Sequence, residues 1–191
     1  MVGNLSNFTK IDILRCLLNI DKTISRLQLS KQLDLGEGTV RSILDILKEN
    51  NLLVSNKKGH SLSEEGSRVS NKIMNNIDMK NIDLLTIFPD KKKTGIQIRN
   101  PKKIEKVYVL RDTAVKNGAD GALILNYDGK LKVYDSDYEQ DFSEIENKFA
   151  LSKNDLVVVC YADSYMLAEY GAVAVAIELC DDIKNIMQEL K

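Results

Sequence analysis

With 191 residues, 43% apolar and 29% charged, the chain can bury a core, which excludes wholesale disorder. Two prolines and ten glycines exclude a Pro-rich or collagen-like chain. The formal charge of −1 is a sum of unlike parts, +3 over residues 1–76 and −4 over 77–191, which points to two modules with different partners.

No stretch approaches the roughly 18 apolar residues that span a membrane, so no membrane association is expected. The first ten residues show no positive segment followed by an apolar one, so no secretory signal is readable and a cytoplasmic protein is expected. Cys16, Cys160 and Cys180 each sit in an apolar run, where a free cysteine behaves as a small hydrophobe. A single histidine and no paired cysteine leave no zinc site, and no metal or cofactor is expected.

In chain order, residues 10–20 read as a helix with Ile11, Leu14, Leu17 and Leu18 at helical spacing. Ser25 caps a second helix, and Gln28 three residues on completes a capping box. Leu29 and Leu33 are its inward residues. A third helix spans 39–50, with Val40, Ile43, Leu44 and Leu47 as one apolar stripe. Thr39, Arg41, Ser42, Asp45 and Lys48 form its opposite face. Two short strands, 52–55 and 60–62, flank the polar turn Asn56-Lys57-Lys58-Gly59 and make a hairpin. Ser63 then caps a fourth helix whose first turn carries Glu64 and Glu65, favourable against the helix dipole. Three helices, a hairpin and a helix make a winged helix-turn-helix over residues 1–76.

The segment Gly36-Glu37-Gly38-Thr39-Val40-Arg41-Ser42-Ile43-Leu44, followed by Leu47-Lys48-Glu49-Asn50-Asn51-Leu52-Leu53, resembles the recognition helix of winged-helix transcription regulators. Leu62-Ser63-Glu64-Glu65-Gly66 resembles the step that follows the wing in many of them. This similarity covers about residues 8–76. The whole chain resembles a small archaeal family that joins such a head to a C-terminal domain of unknown function. The resemblance implies DNA binding and brings no established ligand with it.

Residues 77–191 read as an α+β module, a mostly antiparallel sheet with two helices on one face. Ile82, Leu84, Thr86 and Phe88 alternate as a strand, and the basic turn 90–93 leads to a second strand at 95–99. Asn100 and Pro101 have the pattern of a cap and first turn for a helix to 117, with Gly118 at the left-handed C-terminal position. Strands 121–126 and 130–134 flank Asp128-Gly129, a strong hairpin signal. The stretch 135–146, with six acidic and no basic residues, reads as an exposed loop and a short helix. Residues 156–161 are a buried strand by their continuous β-branched run. Asp163 or Ser164 caps a last helix, 165–188, interrupted near Cys180 and Asp181. The module is expected to serve as an effector or dimerisation domain.

DNA contacts are expected from Thr39, Arg41 and Ser42 on the recognition helix, and from Lys57 and Lys58 at the wing tip. Arg26 and Lys31 on the second helix would add backbone contacts. His60 would touch DNA or sense pH, although a lone histidine there is ordinarily a polar strand residue. Double-stranded DNA is thus the expected partner. Glu37 and the modest +3 charge count against it. The alternative is a winged helix that holds a protein or an RNA without sequence-specific DNA binding.

In the second module Asp112, Asp163 and Glu169 are the carboxylates in the most apolar context, and they are the candidates for binding a small-molecule effector. The basic run Lys91-Lys92-Lys93 reads as a solvated turn. Ser164 has no histidine partner in its half, and Gly118-Ala119-Asp120-Gly121 lacks the Lys-Ser/Thr of a phosphate loop, so no enzyme is expected. A lone winged helix touches few phosphates, so a homodimer is expected, joined through the C-terminal sheet or the apolar final helix.

Overall fold

The structure, a computed structural model, describes residues 8–84, 86–137 and 140–190. Residues 1–7 at the N-terminus, and Tyr138 and Glu139 of the acidic stretch, lie outside the described residues. The chain divides into two compact units. One comprises the described residues up to Ile73 and those from Asn185 onward; the other is Met74–Lys184. The boundary expected between residues 76 and 77 thus falls three residues earlier, and the end of the chain groups with the first unit.

The first unit is a winged helix-turn-helix. Its helices are α1 (Lys10–Leu18), α2 (Arg26–Leu33) and α3 (Glu37–Glu49), followed by strands β1 (Leu53–Asn56) and β2 (Gly59–Leu62) and by α4 (Glu64–Asn76). Ser25 caps α2 by accepting from the Gln28 N–H at 3.3 Å, and the Gln28 side chain accepts in return from the Ser25 N–H at 3.1 Å. Val40, Ile43, Leu44 and Leu47 are all buried against α1, α2 and β1, each worth about 1.5–3 kcal/mol. One correction concerns the start of α3. The helix begins at Glu37 rather than Thr39, with Gly36 in extended geometry at the cap, so Glu37 stands inside its first turn.

The wing is an antiparallel hairpin in which Asn56 faces Gly59 across Lys57 and Lys58. Ile24 joins it as a third rung, exchanging backbone hydrogen bonds of 2.9 and 2.8 Å with His60. That approach requires a glycine beside it. Gly59 has φ +142°, and an added Cβ would lie 2.5 Å from the Ile24 carbonyl oxygen.

The second unit is α+β. Its strands are β3 (Ile77–Asn81), β4 (Lys92–Ile98), β5 (Gly121–Tyr127), β6 (Leu131–Val133) and β7 (Leu156–Ala162), in the order β3-β4-β7-β5-β6 with every pairing antiparallel. Its helices are α5 (Val107–Lys116), α6 (Ser143–Glu146) and α7 (Tyr165–Leu179); α8 (Asp181–Glu189) begins after the break at Cys180. Ser164 caps α7 by accepting from the Leu167 N–H. β7 is central, so its alternate residues serve two cores. Val158 and Cys160 face α5 and α7, where Gly171 lets α7 come close: an added Cβ would lie 3.3 Å from Cys160 Sγ and 2.7 Å from Ala119 Cβ. Val157 and Val159 face a second core of Ile82, Leu84, Ile87, Phe142, Ile145 and Phe149.

That second core is where the fold departs most from the sequence expectation. Residues 82–84 and 86–88 are not a strand; β3 ends at Asn81, and Ile82, Leu84 and Ile87 are buried as an irregular cover over the sheet. The acidic stretch is likewise not wholly exposed, since Phe142 and Ile145 are anchored beneath it. The helix expected from Asn100 begins only at Val107. Asn100 has φ +49°, outside the extended region an N-cap adopts, and the Lys102 N–H donates to Leu179 O at 2.9 Å. The basic run is only partly a solvated turn, with Lys92 exposed and Lys93 buried. Lys92 and Lys93 belong to β4, and Lys93 is buried with its ammonium on the Lys91 carbonyl at 2.7 Å. Residues on both faces of the central strand β7 are buried, and α7 buries residues all round its circumference.

Candidate nucleic-acid interface

Burying the Val40-Ile43-Leu44-Leu47 stripe turns the opposite face of α3 outward, and Glu37, Gly38, Arg41, Ser42, Asp45 and Lys48 are exposed along it. Arg41 lies in the second turn. The Ser42 hydroxyl bonds back to Gly38 O at 3.3 Å, and Thr39 is half-buried, so both offer less than their sequence position promised. Lys48 pairs with Asp45 one turn back, at 3.7 Å.

From α2, Arg26 reaches across to Glu37, Nε to Oε2, at 3.1 Å. Lys31 is exposed in the last turn of α2. Lys57 and Lys58 are exposed at the wing tip, where the Asn56 side chain shapes the turn by accepting from the Lys58 N–H at 2.7 Å. Among the described residues, no ion pair involves Lys31, Arg41, Lys57 or Lys58.

His60 is half-buried on β2. Its Nδ1 lies 2.7 Å from Ser55 Oγ across the hairpin. Burial holds its pKa below the usual 6.5, and the positive charges of Lys48 and Arg26 push it further down, opposed by Asp45. His60, Arg26 and Lys48 thus belong to one electrostatic neighbourhood, made by the base of the wing with α2 and α3. Two members of it, Lys48 and Glu37, were not picked out as site residues. The i, i+4, i+8, i+11 spacing of Glu37, Arg41, Asp45 and Lys48 was the available signal.

The three carboxylates of the second unit are not gathered. Asp112 is exposed on α5, and Glu169 is half-buried on α7. Asp163 is held by Lys91, 2.6 Å away, which also binds Asp120 at 2.6 Å. Among the described residues, no three His, Cys, Asp or Glu side chains come close enough to hold a metal. Instead, a cleft of about 570 Å³ opens where the irregular segment before α5 meets the end of α7. Val109, Leu110 and Leu179 supply its apolar lining, and the lysines Lys102, Lys103 and Lys106 are set against the carboxylates of Glu105 and Glu178. Asp112, Asp163 and Glu169 line neither it nor the three smaller clefts described.

A winged helix-turn-helix followed by an α+β domain is therefore the class of architecture. Residues 9–68 match the family model described as PH0730-like, N-terminal domain, and residues 89–179 match a domain of unknown function, DUF4443. Among solved structures, the chain is similar to a hypothetical protein, PH0730, from Pyrococcus horikoshii OT3. The TM-score is 0.82 at 26% identity, covering 96% of this chain and 100% of that one. HmgR of Pseudomonas aeruginosa aligns at 11% identity over 89% of this chain and 97% of its own. An IclR transcriptional regulator from Alicyclobacillus acidocaldarius aligns at 10% over 92% and 97%. Both have TM-scores of 0.30, too low to bear on fold or function. No functionally curated protein matches the chain.

Proposed function

We propose that this chain is a cytoplasmic DNA-binding transcriptional regulator that reads double-stranded DNA with α3 and the wing and does not catalyse a reaction. One observation carries the reading. The buried stripe of α3 leaves its opposite face outward with Arg41 on it, and the same unit exposes Lys57 and Lys58 on a hairpin tip. A helix face of this kind fits the major groove, and a wing with two lysines neutralises phosphates beside it. The second unit senses a small ligand or holds two copies together. In support of ligand sensing, the 570 Å³ cleft sets an apolar lining beside lysines and the carboxylates of Glu105 and Glu178, and suits a small ligand with an apolar body and polar ends.

The test is fluorescence anisotropy with a duplex selected from random sequence and with a scrambled one. Arg41→Ala should weaken the selected duplex by about 1–3 kcal/mol and relax one position of the motif, as removal of a base-reading side chain does. Lys57→Ala with Lys58→Ala should weaken both duplexes alike and flatten the salt dependence by roughly one unit for each phosphate no longer neutralised. Absence of salt-dependent binding to either duplex removes the DNA-reading function and leaves the winged helix as a protein-interaction module.

A further inference from the structure

Glu37 is an odd residue to place at the leading end of a helix that approaches phosphates, and Arg26 holds it there. The two side chains are 47% and 45% exposed, and their ion pair joins the first residue of α2 to the first residue of α3. An exposed pair of this kind contributes little to stability. Favourable interaction with the α3 dipole explains an acidic residue in the first turn, but it does not require an arginine eleven residues away to fix its direction. What the pair does accomplish is to hold a carboxylate in one position on the outward face. The pairing uses one of the guanidinium's five N–H donors, which leaves the others for a phosphate oxygen.

We infer that Glu37 is a base-reading residue, its carboxylate accepting from the exocyclic amino group of a cytosine in the major groove while Arg26 holds it and meets the neighbouring phosphate. The inference rests on the DNA-reading function proposed above and names part of the sequence read. In the major groove only cytosine N4 and adenine N6 present donors. Adenine sets its N7 acceptor beside N6, which repels a carboxylate, so cytosine is the base that fits. Arg41 stands four residues further along the same face, a rise of about 6 Å. At roughly 3.4 Å per base step, that separation places the acceptor and the donor about two steps apart. The motif should thus pair a cytosine, read by Glu37, with a nearby guanine, read by Arg41.

The experiment is selection from random duplexes by the full-length chain, its Glu37→Ala variant and its Glu37→Gln variant, with circular dichroism to verify folding. The wild-type motif should contain a cytosine favoured about tenfold over other bases. Glu37→Ala should bring that ratio close to one while leaving binding to scrambled DNA as strong or stronger, because a negative charge near phosphates is gone. Glu37→Gln should move the preference at that position from cytosine to adenine, which an amide reads through N6 and N7. A merely structural role for Glu37 predicts no such switch. A motif unchanged in Glu37→Ala, or loss of all DNA binding in a folded Glu37→Ala, overturns this assignment alone. Failure of the wild-type chain to enrich any motif removes sequence-specific reading itself, and the assignment with it.

Discussion

Two glycines at helix starts in the N-terminal unit should respond to the same substitution with opposite signs. Gly66 lies in the first turn of α4, where its N–H donates to Ser63 Oγ at 2.9 Å. An added Cβ would meet the Leu52 carbonyl oxygen at 2.0 Å, more than 1 Å inside ordinary contact. The obstacle is backbone, and the same carbonyl accepts the Ser63 N–H at 3.0 Å, so moving it away strains that hydrogen bond. Overpacking of this kind costs about 1–3 kcal/mol and loss of the hydrogen bond about 0.5–1.5 kcal/mol. Alanine's advantage in a helix returns up to about 1 kcal/mol. Gly66→Ala should therefore destabilise the unit by about 1–3 kcal/mol. Gly38, in the first turn of α3, has no atom within 4 Å of the position a Cβ would take. Gly38→Ala should therefore stabilise by up to about 1 kcal/mol. Urea unfolding followed through the ring-proton NMR signal of His60, the single histidine of the chain, reports on this unit. A Gly66→Ala midpoint equal to or above wild type would refute the close approach of α4 to Leu52.

The cysteine thiols should resist labelling in the native state, because burial pushes those of Cys16 and Cys160 up to about 12. Since both pKa values are raised from 9.0, the stability they contribute is complete below pH 9 and is lost as pH rises towards 12; rapid reaction with a thiol reagent at pH 8 without denaturant would contradict this. The His60 ring should titrate below 6.5 in the free protein. Its lowered pKa contributes stability present above 6.5 and lost as pH falls through the folded value, and Lys48→Met should move that value up, as read from the pH dependence of its NMR signal.

What could be read from the sequence depended on whether local pattern and tertiary role agreed. The α3 stripe, the Ser25–Gln28 capping box, the hairpin turn at Lys57 and Lys58, the Ser164 cap and the break at Cys180 carry signals local to the chain, and the structure has each of them. Residues 82–88 show the opposite case. Alternating apolar residues report burial on one side, and Ile82 and Leu84 are buried without continuing a strand, because they cover a sheet rather than extend it. At Asn100 and Pro101 the composition matches a helix start, but a long-range bond from the Lys102 N–H to Leu179 holds the segment out of helix until Val107. In the basic run, Lys91 is tied to Asp120 and Asp163 and Lys93 to a backbone carbonyl, partners that lie far away in sequence or are hidden by the fold.

The same distinction governs the candidate interface and sets a number that can be measured. A net charge of +3 over residues 1–76 does not say which cations are available. In the structure Arg26 is engaged by Glu37 and Lys48 by Asp45, whereas Arg41, Lys31, Lys57 and Lys58 make no ion pair among the described residues. If Lys31, Lys57 and Lys58 meet phosphates together with the free N–H groups of Arg26, and Arg41 either reads a base or meets a fifth, counterion release gives a slope of log K against log salt of about −3.6 to −4.5 per bound head. Two heads on adjacent half-sites give about twice that, so the slope and the stoichiometry measured together test the homodimer as well. A slope near zero refutes the interface outright. A slope much steeper than about −4.5 for a single bound head places phosphates on cations beyond Arg26, Lys31, Arg41, Lys57 and Lys58, and the proposed interface would then be incomplete.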